Sequence, residues 1–357
     1  MQIDTRFSKI NVSTNIDVLL EKYVLPFTNN KIFILVDENT EEKCLPLLKS
    51  KLDIQYTRVI TIPAGEEQKH LQNVELIWKT FVQFGADRSS LLINLGGGMV
   101  CDMGGFAAAS FKRGISFINI PTTLLAQVDA SVGGKTGFNY LGFKNEIGFF
   151  AHPQAVIINS EFLRTLDDRN ILAGWAEMIK HNLIFDVKEW EVFKHMDVKS
   201  INYADLNQLI ARSVKIKKHF VESDPNEKSE RKVLNFGHTV GHALESYFLK
   251  QPNPLLHGEA VAYGIVCELF LSFELLGFPK AKLDEVARYV LNLYGVPDLN
   301  PKVFGTLADL MVHDKKNKEG EMRFVLLQDI GKPVIDVKVD HPTLINSLEK
   351  YANFKLI

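Results

Sequence analysis

Two histidines four residues apart, His238 and His242, have the types and the spacing that most directly suggest chemistry. They lie in a segment whose apolar residues recur with a helical period, so both side chains project from nearly one face of one helix. Imidazole is the commonest protein ligand for zinc, and such a pair can bind one ion together or divide metal-binding and acid/base roles. Taken alone, a pair with this spacing is more often an ordinary surface or core feature.

Two further segments favour a metal site. His257 opens a second apolar helical segment, and Glu177 lies in an earlier one, with Lys180 three residues later on the same helix face. One glutamate and two histidines from three helices would form a catalytic zinc set that leaves one position open for a substrate oxygen.

The composition of the chain limits the classes of protein to consider. Its 357 residues, 46% of them hydrophobic, are enough for two packed domains. A net charge of -2 gives no general bias toward nucleic acid or membrane. The three cysteines, Cys44, Cys101 and Cys267, have neither zinc-ribbon spacing nor the even count of a disulfide framework, and the first residues lack a signal-peptide pattern. We therefore expect a cytoplasmic protein.

Strand and helix patterns alternate in the first half of the chain. Short apolar runs predict strands at residues 31–36, 56–62, 91–95, 116–120 and 156–158, and helical patterns cover 71–84 and 100–111. This rhythm predicts a Rossmann-like α/β domain over residues 1–160, with a parallel sheet that binds a dinucleotide at the carboxyl ends of its strands. From residue 161 to 357 the patterns are almost wholly helical, which predicts an all-α metal- and substrate-binding domain.

Two glycine-rich segments lie in the first half. Gly96, Gly97 and Gly98 join a strand to a helix, where they would let the backbone approach a pyrophosphate, although such a turn can also be merely tight. Residues 127–148 are too rich in glycine and charge for a core element, so we expect a loop there. Its two lysines and an amide, Lys135, Lys144 and Asn145, suit an anionic substrate and a dinucleotide.

Taken together, three helical segments resemble the metal-binding signature of the 3-dehydroquinate synthase family. They read Ala-Glu-Met-Ile-Lys from residue 176, Gly-His-Thr-Val-Gly-His from residue 237 and His-Gly-Glu-Ala-Val from residue 257. The resemblance covers about residues 30–335 and implies that Glu177, His238 and His257 bind Zn²⁺ or Co²⁺. It assigns His242 to the active-site wall and to proton handling.

The same resemblance implies an NAD site in the first domain. The matching residues are Asp37, Gly65, Glu66, Glu67, Gln68, Lys69, Gly97, Gly98, Met99, Val100, Cys101, Asp102, Thr122, Thr123, Lys135, Lys144, Phe162, Leu163, Arg164 and Thr165. Two residues depart from the family pattern: Cys101 stands where glycine is usual, and Asp167 where proline is usual.

The resemblance also implies the reaction and the residues that contact the substrate. The family converts 3-deoxy-D-arabino-heptulosonate 7-phosphate to 3-dehydroquinate and phosphate in the shikimate route, and it regenerates NAD in each turnover. Lys180, Lys217 and His242 would bind hydroxyl groups and steer protons, with Glu227 and Asp129 in support. The carboxylate and phosphate would be bound by Lys135, Asn145, Arg231, Asn235 and Lys315, with Lys316 as the alternative to Lys315. Arg113 matches an arginine that reaches the phosphate site of a neighbouring subunit, which implies a homodimer.

Two other classes of enzyme stay open. Another sugar phosphate cyclase would use the same metal and NAD on a different sugar phosphate, but its carboxylate-handling positions tend to be replaced, whereas this chain keeps Lys217, Arg231, Asn235 and His242. A metal-dependent polyol dehydrogenase would share the two-domain architecture but consume NAD. Such enzymes typically have aspartate as the first metal ligand and lack the Gly-Gly-Lys and Lys-Asn loops found here. A nucleotide-binding regulatory subunit that is not an enzyme would have lost the metal-binding residues, which this chain keeps.

Overall fold

The protein is described by a computed structural model over residues 1–52, 57–141, 143–249, 251–297, 299–312 and 322–354. The chain forms two compact units. One consists of Met1–Ile171 with Ile201–Lys218, and the other of Leu172–Ser200 with His219–Ile357. The division into domains after residue 160 stays a prediction.

A seven-stranded sheet is the centre of the first unit. Its strands are β1 (Gln2–Asp4), β2 (Lys9–Val12), β3 (Ile32–Asp37), β4 (Arg58–Ile62), β5 (Leu91–Gly96), β6 (Ser116–Pro121) and β9 (Ala155–Ile158), in the order β1-β2-β9-β6-β5-β3-β4. Strand β1 pairs antiparallel with β2, and all other neighbours are parallel. The predicted parallel α/β fold is confirmed.

Helices and strands of this unit enclose two apolar clusters. The helices are α1 (Asp17–Tyr23), α2 (Glu38–Lys43), α3 (Leu45–Lys51), α4 (Leu71–Gln83) and α5 (Gly98–Ser110). Successive residues of β3 face opposite sides of the sheet: Ile34 and Val36 belong to one cluster, Phe33 and Leu35 to the other. A strand buried on both faces reads as an unbroken apolar run, which is why the sequence pattern identified it.

The expectation of a loop over residues 127–148 is wrong. Lys135–Tyr140 (β7) and Phe143–Phe150 (β8) form an antiparallel hairpin, preceded by a π-helix over Ala126–Ala130. Gly137 and Gly148 face each other in it, and a Cβ added to Gly137 would lie 2.5 Å from the carbonyl oxygen of Ile147. The glycines that suggested a loop are therefore required by close strand pairing.

The second unit is largely helical. Its elements are α6 (Asp168–Phe185), whose first four residues belong to the first unit, α7 (Val187–Phe193), α9 (His238–Phe248), α10 (His257–Leu276), α11 (Lys280–Tyr294), α12 (Phe304–Val312), β10 (Met322–Asp329), β11 (Lys332–Val339) and α13 (His341–Ala352). Helix α8 (Tyr203–Ser223) belongs to the first unit up to Lys218, and only its last turn belongs to the second. Strands β10 and β11 form an antiparallel hairpin, so the predicted all-α description must be corrected to include it. Aromatic and β-branched residues in the two strands, together with the turn at Gly331, allow the hairpin in this otherwise helical region.

Helix α10 is the central helix of this unit. It is buried over most of its length, and it packs against α9, α11, α13 and β10. A helix that is apolar on all sides needs neighbours on all sides, and these elements supply them. Among the described residues, no helix combines the length and apolar character needed to cross a membrane.

Replacing Phe81 with alanine is expected to destabilise the first unit. Phe81 is 0% exposed, and its ring lies 5.1 Å from that of Phe33 and 5.0 Å from that of Phe111. The substitution leaves a cavity, so the free energy of unfolding should fall by about 3–5 kcal/mol in urea denaturation. The adjacent Val82, which is 70% exposed, gives the matched control, and Val82→Ala should change it by less than about 0.5 kcal/mol. Equal effects of both substitutions would contradict this packing.

Candidate active site

Helices α6, α9 and α10 carry the residues predicted to bind the metal. Glu177 lies in α6, and His238 and His257 are the first residues of α9 and α10. Helices α6 and α10 touch through their backbones, since a Cβ added to Gly258 would lie 1.9 Å from the carbonyl oxygen of Ala173. Ala173 lies about one helical turn before Glu177, and Gly258 directly follows His257. The contact therefore brings Glu177 and His257 close together.

Helix α9 meets α10 at a second glycine contact. A Cβ added to Gly264 would lie 2.0 Å from the carbonyl oxygen of Gly237. Gly237 has a φ of 80°, a conformation that residues with a side chain rarely adopt, and it turns the chain into α9 immediately before His238. The first residue of α9 is thereby fixed against the middle of α10.

The side chains of these residues converge on one oxygen atom. Oε1 of Glu177 lies 3.6 Å from Nε2 of His238 and 3.6 Å from Nε2 of His257. Glu177 is fully buried, and its Oε2 forms an ion pair with Lys180. A carboxylate removed from water in this way needs positive charge beside it. The structure thus brings Glu177, Lys180, His238 and His257 together.

Both histidines have a partner at the other ring nitrogen. Nδ1 of His238 lies 3.2 Å from the carbonyl oxygen of Phe236, and because a carbonyl can only accept, Nδ1 donates and Nε2 keeps its lone pair. Nδ1 of His257 lies 3.2 Å from Oε2 of Glu245. Partners of this kind orient the rings of metal-binding histidines and set their tautomers.

The two histidines differ in charge. Burial, together with the positive charge of Lys180, lowers the pKa of His238 well below its usual range, so its ring is neutral. Burial also acts to lower the pKa of His257, but hydrogen bonds to Glu177 and Glu245 outweigh it and raise the pKa to about 10. Without a metal ion these two carboxylates favour the protonated ring of His257, and a cation bound at Nε2 would displace that proton.

This arrangement fits a divalent metal ion. One carboxylate oxygen and two imidazole nitrogens are a donor set that zinc accepts in catalytic sites, and a cation would bring positive charge to a buried carboxylate. A second possible set of metal ligands consists of His238, His242 and His257, whose ligand atoms lie within 4.8 Å of one another. Both sets contain His238 and His257.

Three residues predicted to bind substrate lie in the turn before α9. Arg231 is buried, and its Nη1 donates to the carbonyl oxygen of Pro225 at 2.7 Å. Asn235 donates through Nδ2 to Oε1 of Glu227 at 2.9 Å. Asp224 organises this turn by accepting backbone N–H groups of residues 228, 229 and 231. Burial acts to raise the pKa of Asp224, but these hydrogen bonds lower it below its usual value.

Asp129 and Lys217 lie together in the first unit. Nζ of Lys217 donates to the carbonyl oxygen of Asp129 at 2.6 Å and to its Oδ1 at 2.8 Å. Lys217 is buried, so this pairing holds its ammonium group in one position.

Three residues predicted to serve NAD or the substrate form a polar cluster. Nζ of the buried Lys69 donates to Oδ2 of Asp102 and to Oδ1 of Asn145, each at 2.6 Å. Burial raises the pKa of Asp102, and the charge of Lys69 opposes that rise. Asn145 has a φ of 55°, in the left-handed region that asparagine tolerates better than most residues. Gly65, Glu66, Glu67 and Gln68 form the turn that leads to Lys69.

The glycine-rich turn lies where the sequence places it, between β5 and α5. Gly97 is the N-cap residue and α5 begins at Gly98, with Met99 partly buried and Val100 in the core. Cys101 is also buried, and burial raises the pKa of its thiol. At this position cysteine is a small, unreactive apolar side chain.

Several other residues predicted to bind NAD are buried or form hydrogen bonds within the protein. Asp37 caps α2 by accepting the N–H of Thr40 at 2.8 Å. Phe162 and Leu163 are buried, while Arg164 and Thr165 are exposed. Thr122 is buried and donates its N–H to the carbonyl oxygen of Gly96 at 3.0 Å, and Thr123 accepts the N–H of Ala126 at 3.2 Å.

The remaining predicted lysines and arginine differ in placement. Lys135 is exposed at the start of β7, and Lys144 is half-buried in β8. Arg113 is exposed after α5, with a φ of 67°. Lys315 and Lys316 lie outside the described residues.

Glu245 contacts the predicted ligand His257, and the sequence analysis missed it. It lies seven residues, or about two turns, after His238, so the two share a face of α9. That spacing was a usable signal, but only the packing of α10 shows that Glu245 meets His257.

Comparisons with known proteins agree along most of the chain. The family model described as "3-dehydroquinate synthase N-terminal" matches residues 59–173, and "3-dehydroquinate synthase C-terminal" matches residues 174–317. A 3-dehydroquinate synthase of Parabacteroides distasonis is 46% identical over 96% of this chain and 97% of its own length.

Two solved structures share the fold. One is a 2-deoxy-scyllo-inosose synthase complexed with carbaglucose-6-phosphate, NAD⁺ and Co²⁺, with a TM-score of 0.85, 21% identity and coverage of 98% of this chain and 99% of that one. The other is a 2-epi-5-epi-valiolone synthase of Streptomyces hygroscopicus with NAD⁺ and Zn²⁺, with a TM-score of 0.85, 23% identity and coverage of 98% of both chains.

Replacing Glu245 with glutamine is expected to weaken metal binding without unfolding the protein. The change removes the negative charge that orients His257, and loss of such a partner typically lowers metal affinity about 10–100-fold. The affinity is measured by titrating metal-stripped protein with Zn²⁺ in competition with a chromophoric chelator. Glu274→Gln in α10 is the control, because Glu274 pairs with Lys350 and Asn346 instead of a predicted ligand. An unchanged Zn²⁺ affinity of Glu245→Gln would remove Glu245 from the site.

Proposed function

The chain belongs to the 3-dehydroquinate synthase family, and from this premise we propose that it converts 3-deoxy-D-arabino-heptulosonate 7-phosphate to 3-dehydroquinate and phosphate. This reaction belongs to the shikimate route to aromatic amino acids. The observation that carries the proposal is the identity to a 3-dehydroquinate synthase across nearly the whole of both chains. The convergence of Glu177, His238 and His257 on one point supports it.

We propose NAD and a divalent metal ion, Zn²⁺ or Co²⁺, as cofactors. NAD would supply reversible hydride transfer with a substrate alcohol, and the metal ion would supply a Lewis acid for the substrate oxygen. Glu177, His238 and His257 are the proposed ligands. The Nε2 atoms of both histidines face the same oxygen of Glu177, and each Nδ1 atom has a polar partner that orients its ring. His242 is then left beside the metal set to exchange protons with the substrate.

We assign the binding of substrate hydroxyl groups and the transfer of protons to Lys180 and to Lys217. Lys180 pairs with the ligand Glu177, which keeps its ammonium group next to the proposed metal position. Lys217 is held by Asp129, so its ammonium group keeps a defined position. Glu227 similarly fixes the amide of Asn235.

The anionic groups of the substrate require cations and amides. We assign this role to Arg231, Asn235, Lys135, Asn145 and Lys315, since guanidinium and ammonium groups bind carboxylate and phosphate through charge-assisted hydrogen bonds. Arg231 is buried and held by Pro225, which reduces the entropy lost when it binds an anion.

NAD is assigned to the first unit, at the carboxyl ends of the parallel strands. There the amides at the start of α5 can receive the pyrophosphate, because a helix N-terminus after a glycine turn presents unpaired N–H groups. The cluster of Lys69, Asp102 and Asn145 lies in the same unit and ties the turn before α4 to α5 and to β8.

We further propose that the protein acts as a homodimer in the cytoplasm on a small sugar phosphate, with neither nucleic acid nor membrane as a partner. The exposed Arg113 supports the dimer as a residue available to a neighbouring subunit. Buried, unpaired thiols at Cys44, Cys101 and Cys267 agree with a reducing compartment.

Purified, metal-loaded protein should release phosphate and 3-dehydroquinate in equal amounts from heptulosonate phosphate with a trace of NAD⁺, without net NADH. Removing the metal with a chelator should reduce the rate to background, and Zn²⁺ or Co²⁺ should restore it. Phosphate, product and absorbance at the NADH band are followed together. Net NADH without phosphate release would indicate a polyol dehydrogenase, and turnover of only another sugar phosphate would indicate a different cyclase.

Mixing two inactive variants tests whether Arg113 serves the partner subunit. Arg113→Ala should lower activity strongly, and His238→Ala should abolish metal-dependent activity. After the two proteins are mixed and their subunits exchange, half of the dimers are mixed, and each contains one complete site, so about one quarter of wild-type activity should return. Activity is measured before and after exchange, with each variant alone as control. No recovery in verified mixed dimers would place Arg113 outside the partner's site.

A further inference from the structure

A buried carboxylate of α10 bonds to the start of the helix that carries His238. Glu268 is fully buried. Its Oε2 accepts the N–H of Gly237 at 2.6 Å, and its Oε1 accepts the N–H groups of Thr239 at 3.1 Å and Val240 at 3.2 Å. The sequence analysis did not single out this residue.

The start of α9 needs such a partner. The first N–H groups of a helix have no acceptor within the helix, and a side chain at the N-cap position usually supplies one. Here the N-cap residue is Gly237, which has no side chain to offer. A carboxylate suits the position because the helix N-terminus carries partial positive charge, and its hydrogen bonds offset the cost of burying a charge.

The hydrogen bonds of Glu268 hold the backbone on both sides of His238. They attach to the residue before His238 and to the two residues after it. A shift of the His238 backbone along or around the axis of α9 would therefore break at least one of them. Glu268 also lies eleven residues, about three turns, after His257, so both project from one face of α10 toward α9.

We propose that Glu268 is a positioning residue for the metal site: by holding the backbone on both sides of His238, it fixes Nε2 of His238 relative to Glu177 and His257. One face of α10 thus supplies one metal ligand directly and places another. This inference rests on the metal set proposed above and adds a residue that does not touch the metal, the substrate or NAD.

The test is the Co²⁺ affinity and the visible absorption spectrum of a Glu268→Gln protein. Glutamine has a similar shape but only one acceptor oxygen, so some of the three N–H groups lose their partner. We expect Co²⁺ to bind about 10–100-fold more weakly to metal-stripped protein, with a changed ligand-field spectrum, because loss of outer partners has effects of this size. NAD⁺ binding should stay unchanged, since the proposed NAD site lies in the first unit.

Two reference proteins separate positioning from general damage. Glu285→Gln in the same unit removes a carboxylate that accepts from Trp190 at 2.9 Å and Lys194 at 2.8 Å, neither of which is a predicted ligand. It should lower thermal stability but leave Co²⁺ affinity and spectrum unchanged. His238→Ala shows the effect of losing a ligand. If His238→Ala binds Co²⁺ like the wild type, the proposed metal set is wrong.

The inference alone is overturned if His238→Ala binds weakly but Glu268→Gln has the affinity and spectrum of the wild type. If Glu268→Gln does not fold, Glu268→Asp is measured in the same way, because it keeps the charge but withdraws the carboxylate by one methylene. A folded Glu268→Asp protein with weakened Co²⁺ binding supports positioning. Failure of both variants to fold would assign Glu268 to folding only and overturn the proposal.

Discussion

The proposed metal site depends on how closely the backbone of α10 approaches its neighbours. Gly258 brings α10 against α6, and Gly264 brings it against the start of α9, at separations that leave no room for a Cβ. Side chains of histidine and glutamate are short, so ligands from three helices can meet only where the helix axes are close. The Glu177, His238 and His257 geometry is therefore a consequence of backbone packing in the second unit. Polar interactions such as those of Glu245 then refine it.

Charge is balanced locally inside this packed region. Glu177 has no access to water, yet Lys180 and the two imidazoles surround its oxygens. The same groups that stabilise the buried carboxylate are the ones proposed to contact metal and substrate. Stability and chemistry are thus coupled, and a substitution that removes one partner leaves a buried charge without compensation.

Patterns that repeat locally made much of this structure predictable. Unbroken apolar runs identified the central strands, and the spacing of His238 and His242 placed both on one helix face. Close pairing at Gly137 and Gly148 could not be read in the same way, because glycine in a polar segment is also typical of loops. Glu245 and Glu268 were missed for a related reason. Their spacing is visible in the sequence, but which helix face meets which neighbour is decided by tertiary packing.

The burial of α10 also has a consequence for the order of events during synthesis. Its carbonyl at Cys267 accepts from Ser347 of α13, and Ser272 accepts from Leu327 of β10. The three helices that carry the proposed ligands precede β10 and α13 in the chain, so the ribosome produces them before it produces these two covering elements. Until those elements emerge, the nascent chain exposes an apolar helix that chaperones can bind.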